Sequence, residues 1–285
     1  MRTDATVKRV GIIARHDEPA AIGLAGRICR HLESRSAELG IEEVVFDDDT
    51  ASGLGVTGTP IEEMRADLAI VVGGDGTILR TIQKLRTQIP ILGVNFGRVG
   101  FLADATPENA LAMIDEALAD FRVEERMRLA IHINGKLLPC ATNEAVIVTT
   151  AIATTPPAKM FAFRILVDRY ELDRLRADGI VIATPTGSTA YAMSAGGPIV
   201  DPTVGCVIIV PLAPYKLSSR PWLVSDESTV TIEPIHTFKD AAIVIDGRHT
   251  EPVHAGDAIV ITKADEPALF VTTGWRFYEK VRSKL

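Results

Sequence analysis

The sequence predicts an α/β N-terminal domain with a parallel sheet, followed by a β-rich, β-sandwich-like C-terminal domain. Three observations predict this. Over the first hundred residues, short apolar runs alternate with segments of helical periodicity, the pattern of a parallel sheet covered by helices. After Phe121, strand-length segments follow one another with few helical stretches between them. Between Asp67 and Arg80, a β-branched run passes through a glycine-rich turn directly into a helical pattern. The expected domains are 1–120 and 121–266, with the tail 267–285 packing back on the first.

In chain order, Val7 to Arg15 reads as a first buried strand. Ala25, Ile28, Cys29 and Leu32 then share a helical face that ends near Leu39 and Gly40. Ile41 to Asp47, Asp67 to Gly74 and Pro90 to Asn95 are the next strands, with a helix over Thr77 to Thr87 and another over Glu108 to Ala119, just after Pro107. In the second half, strands are predicted over Arg128 to Ile133, Ala145 to Thr149, Phe161 to Val167, Gly179 to Ala183, Cys206 to Val210, Ser228 to Ile232 and Ala241 to Ile245. Asn134-Gly135 marks a hairpin. Gly274 to Leu285 reads as a short helix or tail.

The totals narrow the class. A chain of 285 residues with 47% hydrophobic and 24% charged residues can bury a substantial core, and no apolar run reaches the roughly 20 residues that span a bilayer. The expectation is a soluble, cytoplasmic protein, because the start lacks the apolar centre of a signal peptide. Cys29, Cys140 and Cys206 are odd in number and far apart, which favours free buried thiols over disulfides or a metal site. The six histidines form no H-E-x-x-H arrangement and no Cys-x-x-Cys joins them, so zinc is disfavoured. A net charge of −7 speaks against a broad nucleic-acid surface.

Chemistry is expected where predicted strands end. Gly73, Gly74 and Gly76 remove side chains beside a helix N-terminus, an arrangement suited to phosphate. Asp75 in its midst would repel a bare anion unless a cation or a hydroxyl needing a base intervenes, which makes it the first candidate catalytic residue; the plain alternative is a helix cap. Asn95-Phe-Gly-Arg-Val-Gly-Phe-Leu102 is a second glycine-punctuated loop at a strand end. In Arg176 to Pro198, a strand enters a loop of small hydroxyl and glycine residues, where Ser188, Thr189 and Tyr191 could bind sugar or phosphate oxygens, or Thr186 and Ser188 could cap a helix starting near Ala190. Asp178 before Gly179, and the Asn143-Glu144 pair before a strand, suit either turns or ligand contacts. Gly53-Leu-Gly-Val-Thr-Gly58 fits the dinucleotide fingerprint letter for letter but does not run off a strand, and it reads as a surface loop. No P-loop sequence occurs.

Taken together, Gly73 to Thr77, Asn95 to Leu102, Asn143-Glu144 and Asp178 to Pro198 stand in the order seen in NAD kinases, and the chain resembles that family over nearly its whole length. The Ala-Thr-Pro-Thr-Gly-Ser-Thr-Ala-Tyr run with Ser-Ala-Gly-Gly-Pro is the specific part, since the Gly-Gly-Asp-Gly turn is shared with lipid kinases and phosphofructokinases. Pro211 to Pro221 matches a later motif with departures, Tyr215 standing where many bacterial members carry His and Arg248 where Gln is frequent. Ala213-Pro-Tyr-Lys216 is closer in wording to archaeal members.

The resemblance implies transfer of the terminal phosphate of ATP, or in some members polyphosphate, to the 2′-hydroxyl of the adenosine ribose of NAD, with Asp75 as proton acceptor and a divalent metal, Mg²⁺ foremost, neutralising charge. It also implies that Asn143, Glu144, Asp178, Thr189, Ala190, Tyr191, Ser194 and Ala213 hold the dinucleotide, while Gly73, Gly74, Gly76 and Thr77 cradle phosphates; Ser188 joins the candidates on its hydroxyl alone. Arg80, one turn further along, either reaches a phosphate or lies on a solvated helix face. The active site is expected between the domains, in a homodimer or homotetramer, without nucleic-acid or membrane partners. The alternatives are a lipid kinase sharing the Gly-Gly-Asp-Gly-Thr turn, and a non-catalytic NAD or NADP sensor, against which Asp75 stands.

Overall fold

A computed structural model describes residues 7–96, 100–149, 161–236, 241–272 and 277–284. The chain divides into two compact units, Met1–Glu125 with Ala268–Leu285, and Arg126–Pro267.

In the first unit, β1 (Arg9–Ala14), α1 (Pro19–Ser34), α2 (Ser36–Leu39), β2 (Glu43–Phe46), α3 (Asp48–Leu54), β3 (Leu68–Gly73), α4 (Asp75–Lys84), β4 (Ile91–Asn95), α5 (Ala110–Ala119) and β5 (Val123–Arg126) follow in order. The sheet order is β2-β1-β3-β4-β18-β5, where β18 (Ala268–Val271) arrives from the far end of the sequence and lies parallel to β4. The central strands are buried on both faces, which explains their near-continuous apolar runs. Ile12, Ile70, Val72 and Leu92 pack with Leu24, Ile28 and Leu32 of α1 and Ile114 of α5, whereas Ile13, Val71 and Ile91 pack with Ile78, Leu79 and Ile82 of α4.

The second unit contains β6 (Leu129–Ile133), β7 (Lys136–Leu137), β8 (Glu144–Thr149), β9 (Phe161–Val167), β10 (Tyr170–Ala177), β11 (Gly179–Ala183), α6 (Tyr191–Ser194), β12 (Cys206–Leu212), β13 (Trp222–Ser225), β14 (Val230–His236), β15 (Ala241–Ile245), β16 (His249–Val253) and β17 (Ile259–Lys263). They form two six-stranded sheets, β10-β9-β14-β17-β6-β7 and β13-β12-β11-β8-β15-β16. One core joins Phe161, Phe163 and Ile165 of the first sheet to Ile147, Ile180, Ile182 and Ile243 of the second. Val181, Ala183, Ile208 and Val210 face the other way and are covered by Ala192 and Val200, as the two-residue strand period requires. α7 (Phe277–Lys284) returns to the first unit, and residues 274–276 of the expected tail lie outside the described residues.

Three local expectations are corrected. Gly53 and Leu54 belong to α3, not to a loop: Asp47 caps this helix by accepting from the Thr50 amide, Asp48 and Asp49 sit in its positive first turn, and Gly55 closes it at φ 71°. α4 begins at Asp75 rather than Thr77, with Gly74 at the cap position, so Asp75 is not the cap. Neither Thr186 nor Ser188 caps α6; residues Thr186–Thr189 form a 3₁₀ turn, and the Ser188 hydroxyl both donates to the Val200 carbonyl and accepts from its amide.

Candidate active site

The first cluster lies where β3 and β4 end side by side, with Gly73 opposite Asn95. That is the carboxyl edge of a parallel sheet, where ligands of open α/β sheets bind. Gly73 is required by packing, because a β-carbon there would stand 2.4 Å from the Thr77 hydroxyl oxygen. Gly74 faces open space, with no atom within 4 Å of such a β-carbon, so packing within the fold does not require a glycine there. Thr77 is buried, and its amide turns back to the Gly74 carbonyl at 2.9 Å. The Asp75 carboxylate accepts the amide of Phe101 at 2.7 Å through Oδ2 and that of Leu102 at 3.1 Å through Oδ1. The loop after β4 therefore holds the acid at the helix N-terminus. On the neighbouring strand end, Asn95 Oδ1 is buried without a hydrogen-bond partner. Arg80 pairs with Asp49 of α3 at 2.5 Å, and this guanidinium holds the Asp49 carboxyl below its ordinary range. Gly97, Arg98 and Val99 of the second motif lie outside the described residues.

The second cluster is organised by Asp246, which sequence reasoning missed. Its carboxylate accepts three successive amides, Thr142 at 2.9 Å, Asn143 at 2.8 Å and Glu144 at 3.1 Å. Asp246 itself sits at φ 47°, in the left-handed region, and the Asp246-Gly247 dipeptide is the turn signal that could have drawn attention to it. Thr184 ties the Ala-Thr-Pro-Thr run to the same place, its amide donating to the Asn143 carbonyl and its hydroxyl to the Thr142 carbonyl at 2.6 Å. The result is a buried rim on which Thr142 Oγ1, Asn143 Oδ1 and Glu144 Oε2 have no hydrogen-bond partner. Such atoms cost free energy unless water or a ligand completes them. Burial pushes the Glu144 carboxyl up to about 7, the nearby Asp246 charge adds to this, and the Tyr191 amide partly offsets it. Tyr191 and Ser194 lie three apart on α6, both exposed.

Asp178 and Ala213 stand elsewhere. β11 pairs Ala183 with Glu144 at one end and Gly179 with Leu212 at the other, so these two residues, one position beyond Gly179 and Leu212, lie roughly 17 Å along the strand from the Asn143–Glu144 rim. The Asp178 amide donates to the Leu212 carbonyl at 2.9 Å, and Ala213 beside it is held at φ 44°, a conformation that costs a non-glycine residue of order 1 kcal/mol or more. Tyr215 is exposed, with the Arg176 guanidinium 4.9 Å over its ring.

The first unit carries a glycine-lined helix N-terminus with one held carboxylate, features that suit phosphoryl transfer, and the second unit carries a rim of unsatisfied hydroxyl, amide and carboxyl oxygens that suits a polar ligand. The comparisons are specific. Residues 10–121 match the ATP-NAD kinase N-terminal domain and residues 127–273 the ATP-NAD kinase C-terminal domain. An NAD kinase of Methanosarcina barkeri is 45% identical over 98% of this chain and 99% of its own, and one of Methanoregula boonei is 48% identical over 96% and 97%. A crystal structure of an NAD kinase from Archaeoglobus fulgidus in complex with ATP superposes with a TM-score of 0.79 at 34% identity, covering 96% of this chain and 99% of that one. A yeast NADH kinase complexed with NADH shares the fold, at a TM-score of 0.86 and 24% identity over 98% and 86% of the two chains. The chain belongs to the NAD kinase family, and these relatives place it beside archaeal members.

Proposed function

We propose that this chain transfers the terminal phosphate of ATP to the 2′-hydroxyl of the adenosine ribose of NAD, giving NADP. The observation that carries the mechanism is Asp75, whose carboxylate is fixed by the Phe101 and Leu102 amides at the glycine-lined turn. Phosphoryl transfer asks for an aligned hydroxyl, an acceptor for its proton and neutralised phosphate charge. Asp75 orients the hydroxyl and takes its proton late, as the bond to phosphorus forms. Gly73, Gly74, Gly76 and Thr77 cradle phosphate, and the open space at Gly74 supports this. Asn143 and Glu144, with Thr142 beside them, receive ribose or amide groups on their unpartnered oxygens. Ser188, Thr189, Ala190, Tyr191 and Ser194 line the same end of the sheet, and Asp178 and Ala213 serve another part of the dinucleotide. Arg80 reaches phosphate only by exchanging its Asp49 partner.

A divalent cation fits these residues in one way. Among the described residues no cluster of three or more His, Cys, Asp or Glu side chains could cage a metal, while the oxygens of Asp75 and Asn95 suit a hard cation carried by the substrate's phosphates. Mg²⁺ bound there would neutralise the charge of the transferred group. Among the described residues no helix is long and apolar enough to cross a membrane, and we place the enzyme in the cytoplasm as a homodimer or homotetramer.

NADP formation from NAD with ATP and Mg²⁺, followed with an NADP-specific dehydrogenase, tests the reading, with polyphosphate as the second donor. Formation with either donor upholds it. Silence with both, despite measurable NAD binding, would leave the sensor as the better account.

A further inference from the structure

The two peptide groups that hold Asp75 are gripped from their other side by the C-terminal helix. Phe101 donates its amide to Asp75, and the carbonyl of that same peptide, on Gly100, accepts from Lys284 Nζ. Leu102 donates its amide to Asp75, and the carbonyl of that peptide, on Phe101, accepts from Lys280 Nζ at 3.3 Å. Lys280 and Lys284 are four residues apart on α7, so one helix face presents both ammonium groups to the loop. Neither lies freely in water. Lys280 is 7% exposed and ion-paired with Asp104, and Lys284 stands 5.2 Å over the Phe101 ring.

We propose that Lys280 and Lys284 are positioning residues for Asp75, each acting through one peptide group of the 100–102 segment. The inference rests on the reading of Asp75 as the proton acceptor. A cation on a peptide carbonyl draws electron density along the amide and strengthens the N–H of the same unit as a donor. Two such relays fix both carboxylate oxygens, so the acid meets the hydroxyl in one orientation. The arrangement also places positive charge near an anion that must tolerate incoming phosphate. Burial and the neighbouring Lys280 charge lower the ammonium of Lys284 from its ordinary value, while Asp75 and Asp104 pull it back up, in keeping with an electrostatic contact between the two ends of the relay.

The experiment compares kcat and KM for NAD and ATP in the wild type, Asp75→Asn, Lys284→Met and Lys284→Arg, with binding of each substrate measured by calorimetry and folding by thermal melt. Lys280→Met would remove the ammonium paired with the largely buried Asp104 and could fail to fold, so Lys284 carries the test. The expected result is a fall of tenfold or more in kcat for Lys284→Met, with both KM values and affinities within threefold of wild type and substantial recovery in Lys284→Arg. An unchanged kcat overturns the proposal, as does a rise in KM for ATP at unchanged kcat, which would make Lys284 a phosphate contact. If Asp75→Asn is inactive while Lys284→Met keeps the wild-type kcat, this inference fails and the catalytic reading stands. If Asp75→Asn keeps its rate, the catalytic reading fails, and this inference with it.

Discussion

Gly100 lies against the carboxylate of Asp75: a β-carbon built on it would stand 2.0 Å from Oδ1 and 2.4 Å from Cγ. The acid can accept the next two amides only because residue 100 has no side chain. Gly100→Ala must therefore displace the carboxylate or the loop. The expected outcome is a loss of about 10²-fold in kcat, the scale of a misplaced catalytic group, against a stability cost of about 1–3 kcal/mol. Steady-state kinetics beside a thermal melt checks it, and a kcat within threefold of wild type would show that the held geometry does not matter.

The glycines of the turn separate packing from ligand approach. Gly74 has φ −86° and open space around it, so Gly74→Ala should keep or slightly raise the melting temperature while raising KM for ATP about tenfold. Gly73→Ala should do the reverse first, destabilising the fold by about 1–3 kcal/mol as its methyl group meets Thr77. Equal stability losses in both variants would contradict the assignment of Gly74 to phosphate.

Glu144 gives the free protein a pH dependence. Its carboxyl is raised from 4.5 to about 7 in the fold, chiefly by burial. The unfolded chain then binds fewer protons than the native one across that window, so the stability contribution is full below pH 4.5 and is lost as pH rises through about 7. Between pH 4.5 and 8 the wild type should lose about 3 kcal/mol more than Glu144→Gln, measured by denaturant melts without substrate. Parallel stability curves for the two proteins would contradict this origin.

What could be read beforehand was local. The alternation of apolar runs showed the parallel sheet, and Asn134-Gly135 showed its hairpin, which the structure closes with φ 50° and 82° at those two residues. Asp168 and Arg169 make an equivalent turn, at φ 51° and 81°, but with no glycine to mark it, so β10 passed unnoticed. Its stabilisation is distant: the Asp168 carboxylate accepts the Ser228 hydroxyl and the Thr229 amide, both 2.8 Å away. α3 was missed although Asp47 and Gly55 mark its two ends, because the fingerprint-like glycines drew the reading toward a loop. Among the candidate residues, Asp75, Asn143 and Glu144 stand in short motifs that a sequence reading picks out. Asp246 holds amides about a hundred positions away, and Lys280 and Lys284 donate to carbonyls roughly 180 positions away, contacts that no local pattern encodes.

The most direct test of the account is NADP formation by Asp75→Asn beside the wild type, with ATP and Mg²⁺ saturating and NAD affinity measured separately. The account predicts a loss of about 10³-fold or more in kcat with NAD bound as tightly as before, because the amide cannot accept the proton of the 2′-hydroxyl. A near-wild-type kcat in that variant would contradict it, and proton acceptance would have to be assigned to another group.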